Sequence, residues 1–395
     1  MKGALSWPFL RLYLLTLLYF SANAILNVII PLKGDALGAT NTAIGLVMGA
    51  YLFTTMLLRP WAGHIIQKYG AAQVLRAILL VNGLALILYT FTGLGGYFVA
   101  RMLQGVCTAF FSMALQLGII DALPDKDRSQ GISLYSLCAS MPGMIGPLLA
   151  LGIWQAGDMS LFAAAMTALA ILTGVVGFRA TRGERAEKPA AAQPGQGAAM
   201  LQSLGQLVKN PHLFKCSVLM LAASVVFGAV TAFIPLYAAQ MKDGNAAIYL
   251  MLQAGALVAA RWLWRKRIPS DGKWHSAFVM GTMAMLAAAA QCTSLAGAGG
   301  AALFYTGAVL MGIAQALLYP TLTTYLTFVL PQANRNVLIG LFIAMADLGV
   351  SLGGVMMGPV ADAFSYSFMY MVCAILGGLL VIFAYERRQI FIRSK

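Results

Sequence analysis

The stretch FLRLYLLTLLYFSANAILNVIIP, residues 9–31, decides the fold of this chain. It contains a single charged residue, Arg11. As an α-helix it would be about 34 Å long, enough to cross the roughly 30 Å hydrocarbon core of a bilayer. A helix is expected because a backbone in lipid must satisfy its hydrogen bonds within its own segment. The stretch therefore predicts a transmembrane helix at the start of the chain.

Eleven further apolar blocks follow, and the composition of the whole chain agrees with them. Of the 395 residues, 60% are hydrophobic and 10% are charged, whereas soluble domains carry about 25% charged residues. The blocks are residues 43–58, 74–92, 96–120, 131–154, 161–178, 214–236, 246–264, 277–293, 302–330, 337–360 and 366–385. The sequence therefore predicts an all-α membrane protein with twelve transmembrane helices.

The distribution of basic residues predicts the orientation. If both termini lie on one side, only Lys33 and Lys242 fall in loops on the other side, and Arg101 falls within a span. Basic residues accumulate on the cytoplasmic side, so we expect a multi-pass protein of the bacterial inner (cytoplasmic) membrane with both termini cytoplasmic. The net charge of +14 then faces anionic lipid headgroups, and no nucleic-acid partner is expected.

Residue matches at constant spacing divide the chain into two related halves. Arg59 and Gly70 recur 202 residues later, and a second set recurs after 207 residues: Gly105 and Gly312, Pro124 and Pro331, Arg128 and Arg335, Gly146 and Gly353. We predict six-helix halves at residues 1–180 and 213–395, joined by a cytoplasmic linker at residues 181–212. A parallel duplication predicts a substrate site between the halves, near the middle of the membrane.

The segment RPWAGHIIQKYG, residues 59–70, resembles the loop 2–3 motif of the major facilitator superfamily, Gly-x-x-x-Asp-Arg-x-Gly. Gly63, Lys68 and Gly70 match this motif, and Gln67 stands at its acidic position. In the family the acid latches the two halves on the cytoplasmic side. The resemblance therefore implies conformational gating at these four residues, with a hydrogen bond from Gln67 in place of a salt bridge. It extends over the whole chain and implies two pseudo-symmetric six-helix halves.

Two further motifs resemble the drug:proton antiporter branch of that family. RMLQG, residues 101–105, is similar to its Arg-x-x-Gln-Gly, and PGMIGP, residues 142–147, is similar to its antiporter motif. The second resemblance implies gating at Gly146 and Pro147, where helices pack closely and bend, and it favours export. Arg101 either reaches the outer-leaflet headgroups or supplies a fixed positive charge that tunes proton exchange or binds substrate.

One acidic side chain of the twelve lies in the middle of a span. Asp347 is about halfway along the eleventh span, where a carboxylate costs on the order of 3 kcal/mol on insertion scales. A carboxyl group that binds and releases a proton at this depth would couple transport to protons. Two alternatives stay open: a hydrogen-bonded structural carboxyl that faces a neighbouring helix, and a site for a cationic group of the substrate.

Further polar side chains within the spans are candidates for binding substrate: Asn23, Asn27, Gln104, Gln116, Gln253, Gln315 and Tyr319. The chain has no HExxH pattern, no GxxxxGK[ST] loop and no catalytic triad, so an enzyme, a bound metal and a cofactor are not expected.

These features predict a monomeric secondary transporter that exchanges protons for a small organic solute by alternating access. A proton-coupled importer or an uncoupled facilitator is the alternative. The opening stretch and the short loops also resemble exporters of opine-type metallophores such as staphylopine. The resemblances therefore imply two classes of exported solute, a drug-like compound or a metallophore.

Overall fold

The described part of the chain consists of α-helices and short connections. The computed structural model describes residues 5–123, 125–180, 205, 207–264, 267–269, 271–332 and 335–385. The main helices are α1 (Trp7–Ala36), α2 (Asn41–Tyr69), α3 (Ala71–Phe91), α4 (Leu94–Ala122), α5 (Asp125–Ser140), α6 (Pro142–Gln155), α7 (Met159–Ala180), α8 (Pro211–Gln240), α9 (Ala246–Trp264), α10 (Ser276–Val329), α11 (Arg335–Ala363) and α12 (Tyr366–Ala384). The predicted all-α architecture is confirmed for these residues.

The number of described helices equals the number of spans, although one span consists of two helices and one helix forms two spans. α5 and α6 form one span that is interrupted at Pro142, because a proline has no N–H with which to continue the helical hydrogen bonds. α10 has 54 residues, about 81 Å, which exceeds twice the thickness of a bilayer core. It is broken at Gly300, where φ is 77° and ψ is −171°, so it forms two spans. The described helices therefore make twelve crossings, as predicted.

The predicted end of the second span was wrong. The apolar block ends at residue 58, but α2 continues through Arg59 and Pro60 to Tyr69. Hydropathy ended the span at its first charged residue. A charged residue is tolerated inside a span where it pairs with another charge, and Arg59 does so, as described below.

The predicted duplication is visible in backbone contacts. A side chain at Gly105 in α4 would collide with the carbonyl oxygen of Tyr51 in α2. A side chain at Gly312 in α10 would collide with the carbonyl oxygen of Gln253 in α9. Gly312 follows Gly105 by 207 residues, and Gln253 follows Tyr51 by 202. The two halves therefore contain the same helix crossing, and in each a glycine permits it.

The halves meet most closely where α2 crosses α11. A side chain at Gly45 would collide with the backbone of Gly354, and one at Gly358 would collide with the backbone of Asn41. Small residues at such positions let two helix backbones approach each other. α8 is buried along most of its length and packs against α11 from within the same half.

Two faces of the helix bundle are used below as reference points. We call the face where α1 begins, α7 ends, α8 begins and α12 ends the terminal face. We call the face where α1 ends, α2 begins, α11 ends and α12 begins the opposite face.

Candidate functional site

A cavity of about 280 Å³ lies between the two halves. Its wall comes from α1, α5 and α6 of the first half and from α8, α9 and α10 of the second. The lining combines apolar side chains with a few polar ones: Asn23, Asn27, Ser140, Thr231, Gln253 and Gln315. Such a mixture is typical of small-molecule sites, and the cavity lies where the duplication predicts a substrate site.

Arg101 lies behind one wall of this cavity and is completely buried. Its Nη1 donates a hydrogen bond to Asn23 Oδ1 at 2.6 Å, and its Nη2 donates one to Asn27 Oδ1 at 2.7 Å. The guanidinium carbon lies 5.3 Å from the centre of the Tyr51 ring, within the range of a cation–π interaction. The interpretation of Arg101 as a residue that reaches lipid headgroups is therefore wrong.

The partners of Arg101 orient it but do not neutralise it. Both asparagines are uncharged, and the Nε atom of Arg101 is buried with no hydrogen-bond partner in the described part of the chain. Asn23 and Asn27 both line the cavity, and they accept from Arg101 through their oxygens, so these two hydrogen bonds do not use their amide N–H groups. Arg101 therefore gives the first half a fixed positive charge next to a polar cavity wall.

Two other predicted substrate-binding residues lie together on the second half. Gln253 of α9 and Gln315 of α10 both line the cavity. The Nε2 atom of Gln253 is 3.4 Å from the Oε1 atom of Gln315, which is long for a hydrogen bond. The cavity therefore has amide groups on both sides, contributed by Asn23 and Asn27 on one half and by this glutamine pair on the other.

Asp347 has a partner that the sequence analysis did not identify. Arg59 Nε donates to Asp347 Oδ2 at 2.5 Å, and the two side chains are 24% and 13% exposed. Arg59 lies on α2 and Asp347 on α11, so this ion pair joins the two halves. The only sequence signal for Arg59 was its recurrence as Arg261. The ion pair is compatible with both the structural and the coupling interpretation of Asp347. It places the carboxyl group at the contact between the two halves, where a change in its charge would act on that contact.

Tyr319 lies among the charged groups rather than in the cavity wall. Its hydroxyl lies near enough to Arg59, Asp347 and Arg261 to interact with their charges, and its ring centre lies 6.0 Å from that of Phe342. The predicted substrate-binding residue Tyr319 therefore lies near both the inter-half ion pair and a second arginine, Arg261 of α9.

Two of the predicted binding residues lie away from the cavity. Gln104 is buried within the first half, where its Oε1 accepts a hydrogen bond from the hydroxyl of Tyr89 at 2.6 Å. Gln116 is exposed on α4 and interacts with Tyr135 of α5. Neither lines the cavity. Of the seven predicted binding residues, the structure therefore brings together four at the cavity: Asn23, Asn27, Gln253 and Gln315.

The predicted gating residues of the α2 end differ in their surroundings. Gly70 adopts φ 85°, a conformation that favours glycine, and its N–H caps α2 by donating to Ile66 O at 2.8 Å. Gly63 has no atom within 4 Å of where a side chain would begin. Lys68 lies over the ring of Tyr69 at 5.0 Å. The side chain of Gln67 lies outside the described residues.

The predicted gating residues of α6 lie against the cavity. A side chain at Gly146 would press on Ala24 of α1 at 2.5 Å, so this glycine permits a close crossing. Pro147 follows inside α6 and lines the cavity. A change in the packing of α1 against α6 would therefore change the shape of the cavity.

Asp362, near the end of α11, joins the halves at the opposite face. Its carboxylate accepts hydrogen bonds from the backbone N–H groups of Asn41 and Thr42 at 2.8 and 2.9 Å, and from the Thr42 hydroxyl at 2.6 Å. These residues begin α2, so the carboxylate lies at the positive end of a helix dipole. Tyr366 donates to Asn41 Oδ1 at 2.6 Å. The sequence analysis assigned Asp362 no function, because nothing local indicates a partner 320 residues away.

Within the described residues, no group of three or more His, Cys, Asp or Glu side chains is arranged to hold a metal ion. The chemical groups that the cavity offers to a ligand are therefore amides, hydroxyls and the nearby charges of Arg101, Asp347 and the residues around Tyr319.

Comparison with known sequences identifies relatives along the whole chain. The profile of the Major Facilitator Superfamily matches residues 12–270. The staphylopine export protein of Staphylococcus aureus is 52% identical over 388 residues, which cover 98% of this chain and 98% of that protein.

Solved structures share the fold at low sequence identity. A variant of the nucleoside transporter NupG superposes with a TM-score of 0.75 at 13% identity, covering 94% of this chain and 98% of NupG. A bacterial homologue of the human lysosomal transporter Spinster superposes with a TM-score of 0.73 at 13% identity, covering 97% of this chain and 95% of the homologue. With the profile match and the close relative, these observations establish that the chain belongs to the major facilitator superfamily of membrane transporters.

Proposed function

We propose that this protein exports a staphylopine-type metallophore across the inner membrane in exchange for protons. The observation that carries the proposal is the Arg59–Asp347 ion pair, which joins the two halves and contains the one carboxyl group in the middle of a span. The choice of solute rests on the 52% identity to the staphylopine export protein along nearly the full length of both chains. The solute passes through unchanged, since a transporter needs no chemical conversion.

The ion pair offers a physical route from proton binding to a change of access. A proton on Asp347 would remove its negative charge and the attraction to Arg59, so α2 and α11 would be held together less strongly at this point. Loss of the proton would restore the pair. A group whose protonation makes or breaks a contact between two moving bodies links proton movement to their relative position.

The packing of α5 and α6 indicates the side of the membrane from which the cavity is reached in this conformation. α5 and α6 form one span that lines the cavity. Within it, α6 packs against α9 of the second half, whereas α5 packs mainly against α1 and α4 of its own half. α5 is the part nearer the terminal face. With the terminal face in the cytoplasm, as the basic residues predict, this state receives solute from the cytoplasm. The Asp362 contact then closes the cavity towards the outside.

The organisation that we propose around this site follows the duplication. Residues 1–180 and 213–395 form the moving halves, and residues 181–212 form a cytoplasmic linker. A single copy contains both halves of the cavity, so we propose a monomer embedded in the lipid bilayer.

Proton exchange can be tested with the purified protein in liposomes that contain a pH-sensitive dye. Staphylopine added outside should enter through the wild-type protein and drive protons out, so the lumen becomes alkaline. Asp347→Asn should abolish this pH change. Asp158→Asn is the matched control, because Asp158 lies in the exposed turn before α7, where the oxygen of an asparagine can still accept the hydrogen bond from the backbone N–H of Ser160.

The possible outcomes separate the parts of the proposal. If staphylopine moves no protons through the wild-type protein, proton-coupled transport of this solute is wrong. If Asp347→Asn exchanges as fast as the wild type, Asp347 is structural and the coupling group lies elsewhere. Net export is measured separately, by mass spectrometry of staphylopine in the medium of producing cells with and without the gene. Accumulation inside the cells would instead identify an importer.

A further inference from the structure

The duplication assigns a counterpart to each member of the inter-half ion pair. Arg59 of α2 corresponds to Arg261 of α9, 202 residues later. Asp347 of α11 corresponds to Ser140 at the end of α5, 207 residues earlier. The second crossing between the halves therefore has the arginine of the first crossing, but a serine in place of the aspartate.

The side chains support this correspondence independently of the arginines. In the first half, the hydroxyl of Tyr51 lies 2.9 Å from that of Thr108. The residues at the corresponding positions of the second half are Gln253 and Gln315, and their amide groups also contact each other. The offsets of 202 and 207 residues therefore match residues that are equivalent in space, including those nearest the cavity.

Arg261 has no counter-ion within the described part of the chain. Its Nε atom is buried and has no hydrogen-bond partner there, and no described carboxylate forms an ion pair with it. Arg261 and the Arg59–Asp347 pair lie near the same side chain, Tyr319. Among the described residues, two arginines and one aspartate lie around this tyrosine, so one positive charge there has no balancing anion.

The position of Arg261 connects it to the cavity. Leu257, one helical turn earlier on α9, lines the cavity, and so does Ser140. The hydroxyl of Ser140 donates to the carbonyl oxygen of Ser136 at 2.8 Å, so this side chain supplies no charge to the crossing. An anionic group at the end of the cavity nearest Ser140 would therefore come close to Arg261.

A partly buried guanidinium needs a partner that can accept several hydrogen bonds. Burying a charge without a partner is expensive, and the planar fork of an arginine fits a carboxylate with two parallel hydrogen bonds. In the first crossing the chain itself supplies that carboxylate through Asp347. In the second crossing a bound solute can supply it.

We propose that Arg261 binds a carboxylate group of the exported solute, in the position that Asp347 occupies beside Arg59. This inference rests on the proposed function, because it assumes that the exported solute binds in the cavity. It restricts that cargo to compounds with a carboxylate at the end that lies near α5 and α9. It also makes Arg261 a specificity residue of the same site.

The first test compares the binding of staphylopine and of its methyl esters to the purified protein by isothermal titration. The wild type should prefer the free acid. Arg261→Gln should weaken binding of the free acid about 10- to 100-fold, as expected for the loss of a charge-assisted pair, and should remove the preference over the esters. Arg267→Gln, which removes an exposed arginine of the turn after α9, is the control and should bind as the wild type does.

The second test supplies the missing acid from the chain. Ser140→Asp should pair with Arg261, raise the melting temperature and weaken binding of the free acid to a similar extent. Ser133→Asp adds the same charge to an exposed position on α5, about 10 Å away along the helix, and should do neither. The gain in stability means that the result does not depend on a damaged fold.

The outcomes distinguish this inference from the proposed function. If the wild type does not bind staphylopine, the proposed function fails and the inference fails with it. If the wild type binds it and Arg261→Gln binds it equally well, only the assignment of Arg261 is wrong. An equal loss of acid and ester binding in Arg261→Gln would also overturn the assignment, because it would indicate a structural function for the arginine.

Discussion

The two halves contact each other at two crossings that the duplication relates: α2 with α11, and α9 with the span formed by α5 and α6. In the first, glycine backbones lie in contact, and an ion pair and a capped helix end join the halves. In the second, α6 packs against α9, but the cavity lies between the two halves beside α5. Its arginine, Arg261, has no acid beside it among the described residues. The duplication preserved the backbone arrangement while the side chains diverged, so one crossing holds the molecule together and the other is free to bind.

The largest effect is expected from filling the tight crossing. Gly45→Leu would place a side-chain carbon in collision with the carbonyl oxygen of Gly354. The two helix backbones must then separate, which costs more than the about 1–3 kcal/mol of ordinary overpacking. We expect most of the variant protein to aggregate, which size-exclusion chromatography in detergent would show as loss of the monodisperse peak. Gly174→Leu in α7 is the control, because a side chain begun there meets no atom within 4 Å. Identical elution profiles for the two variants would contradict this, because they would show that the crossing can accommodate a leucine side chain.

A smaller effect is expected from dividing the ion pair. Arg59→Gln and Asp347→Asn each leave one charge without its partner. The cost is below the about 3–5 kcal/mol of a fully buried pair, because the two side chains are 24% and 13% exposed. The double variant should regain most of the lost thermal stability, measured by intrinsic tryptophan fluorescence, but not the proton-coupled exchange. If the two losses simply add in the double variant, Arg59 and Asp347 do not stabilise each other.

The smallest effect is expected at the opposite face. Asp362→Asn removes a charge from the start of α2, an interaction worth about 0.3–1 kcal/mol. The outward-open population should therefore rise about two- to five-fold. Spin labels at the exposed residues Leu37 and Phe364, in a background without native cysteines, report the separation by pulsed electron spin resonance. Asp158→Asn should leave the distance distribution unchanged. An unchanged distribution in Asp362→Asn would mean that Asp362 does not help to close the opposite face.

Much of the fold could be predicted because the lipid environment leaves few choices. The length of apolar blocks gave twelve spans, and the recurrence of glycines gave the two halves. The connection within α10 was also predicted, since the block at residues 277–293 ends before the glycine that breaks the helix. The end of α2 could not be predicted from hydropathy, because the cost of Arg59 in a span depends on a partner in the other half.

The site was only partly predictable for the same reason. Asn23, Asn27, Gln253 and Gln315 were identified because polar side chains are rare in spans, and all four line the cavity. Gln104 has the same sequence signal, yet it is buried against Tyr89. Which side of a helix faces a cavity depends on the packing of all its neighbours. The partners of Arg59 and Asp362 are 288 and 320 residues away, and no local pattern indicates them.

If Asp347 binds and releases a proton, the net charge of its pair with Arg59 changes, and so does the force that a membrane potential exerts on the pair. Paired, the two side chains carry no net charge, whereas a proton on Asp347 leaves the positive charge of Arg59 uncompensated. Moving one elementary charge through a potential of 100 mV changes its energy by about 2.3 kcal/mol. An electrical potential therefore acts on the protonated form of the pair and hardly at all on the ionised form. Proton flux through liposomes held at set potentials would reveal this difference, and a flux independent of voltage would contradict it.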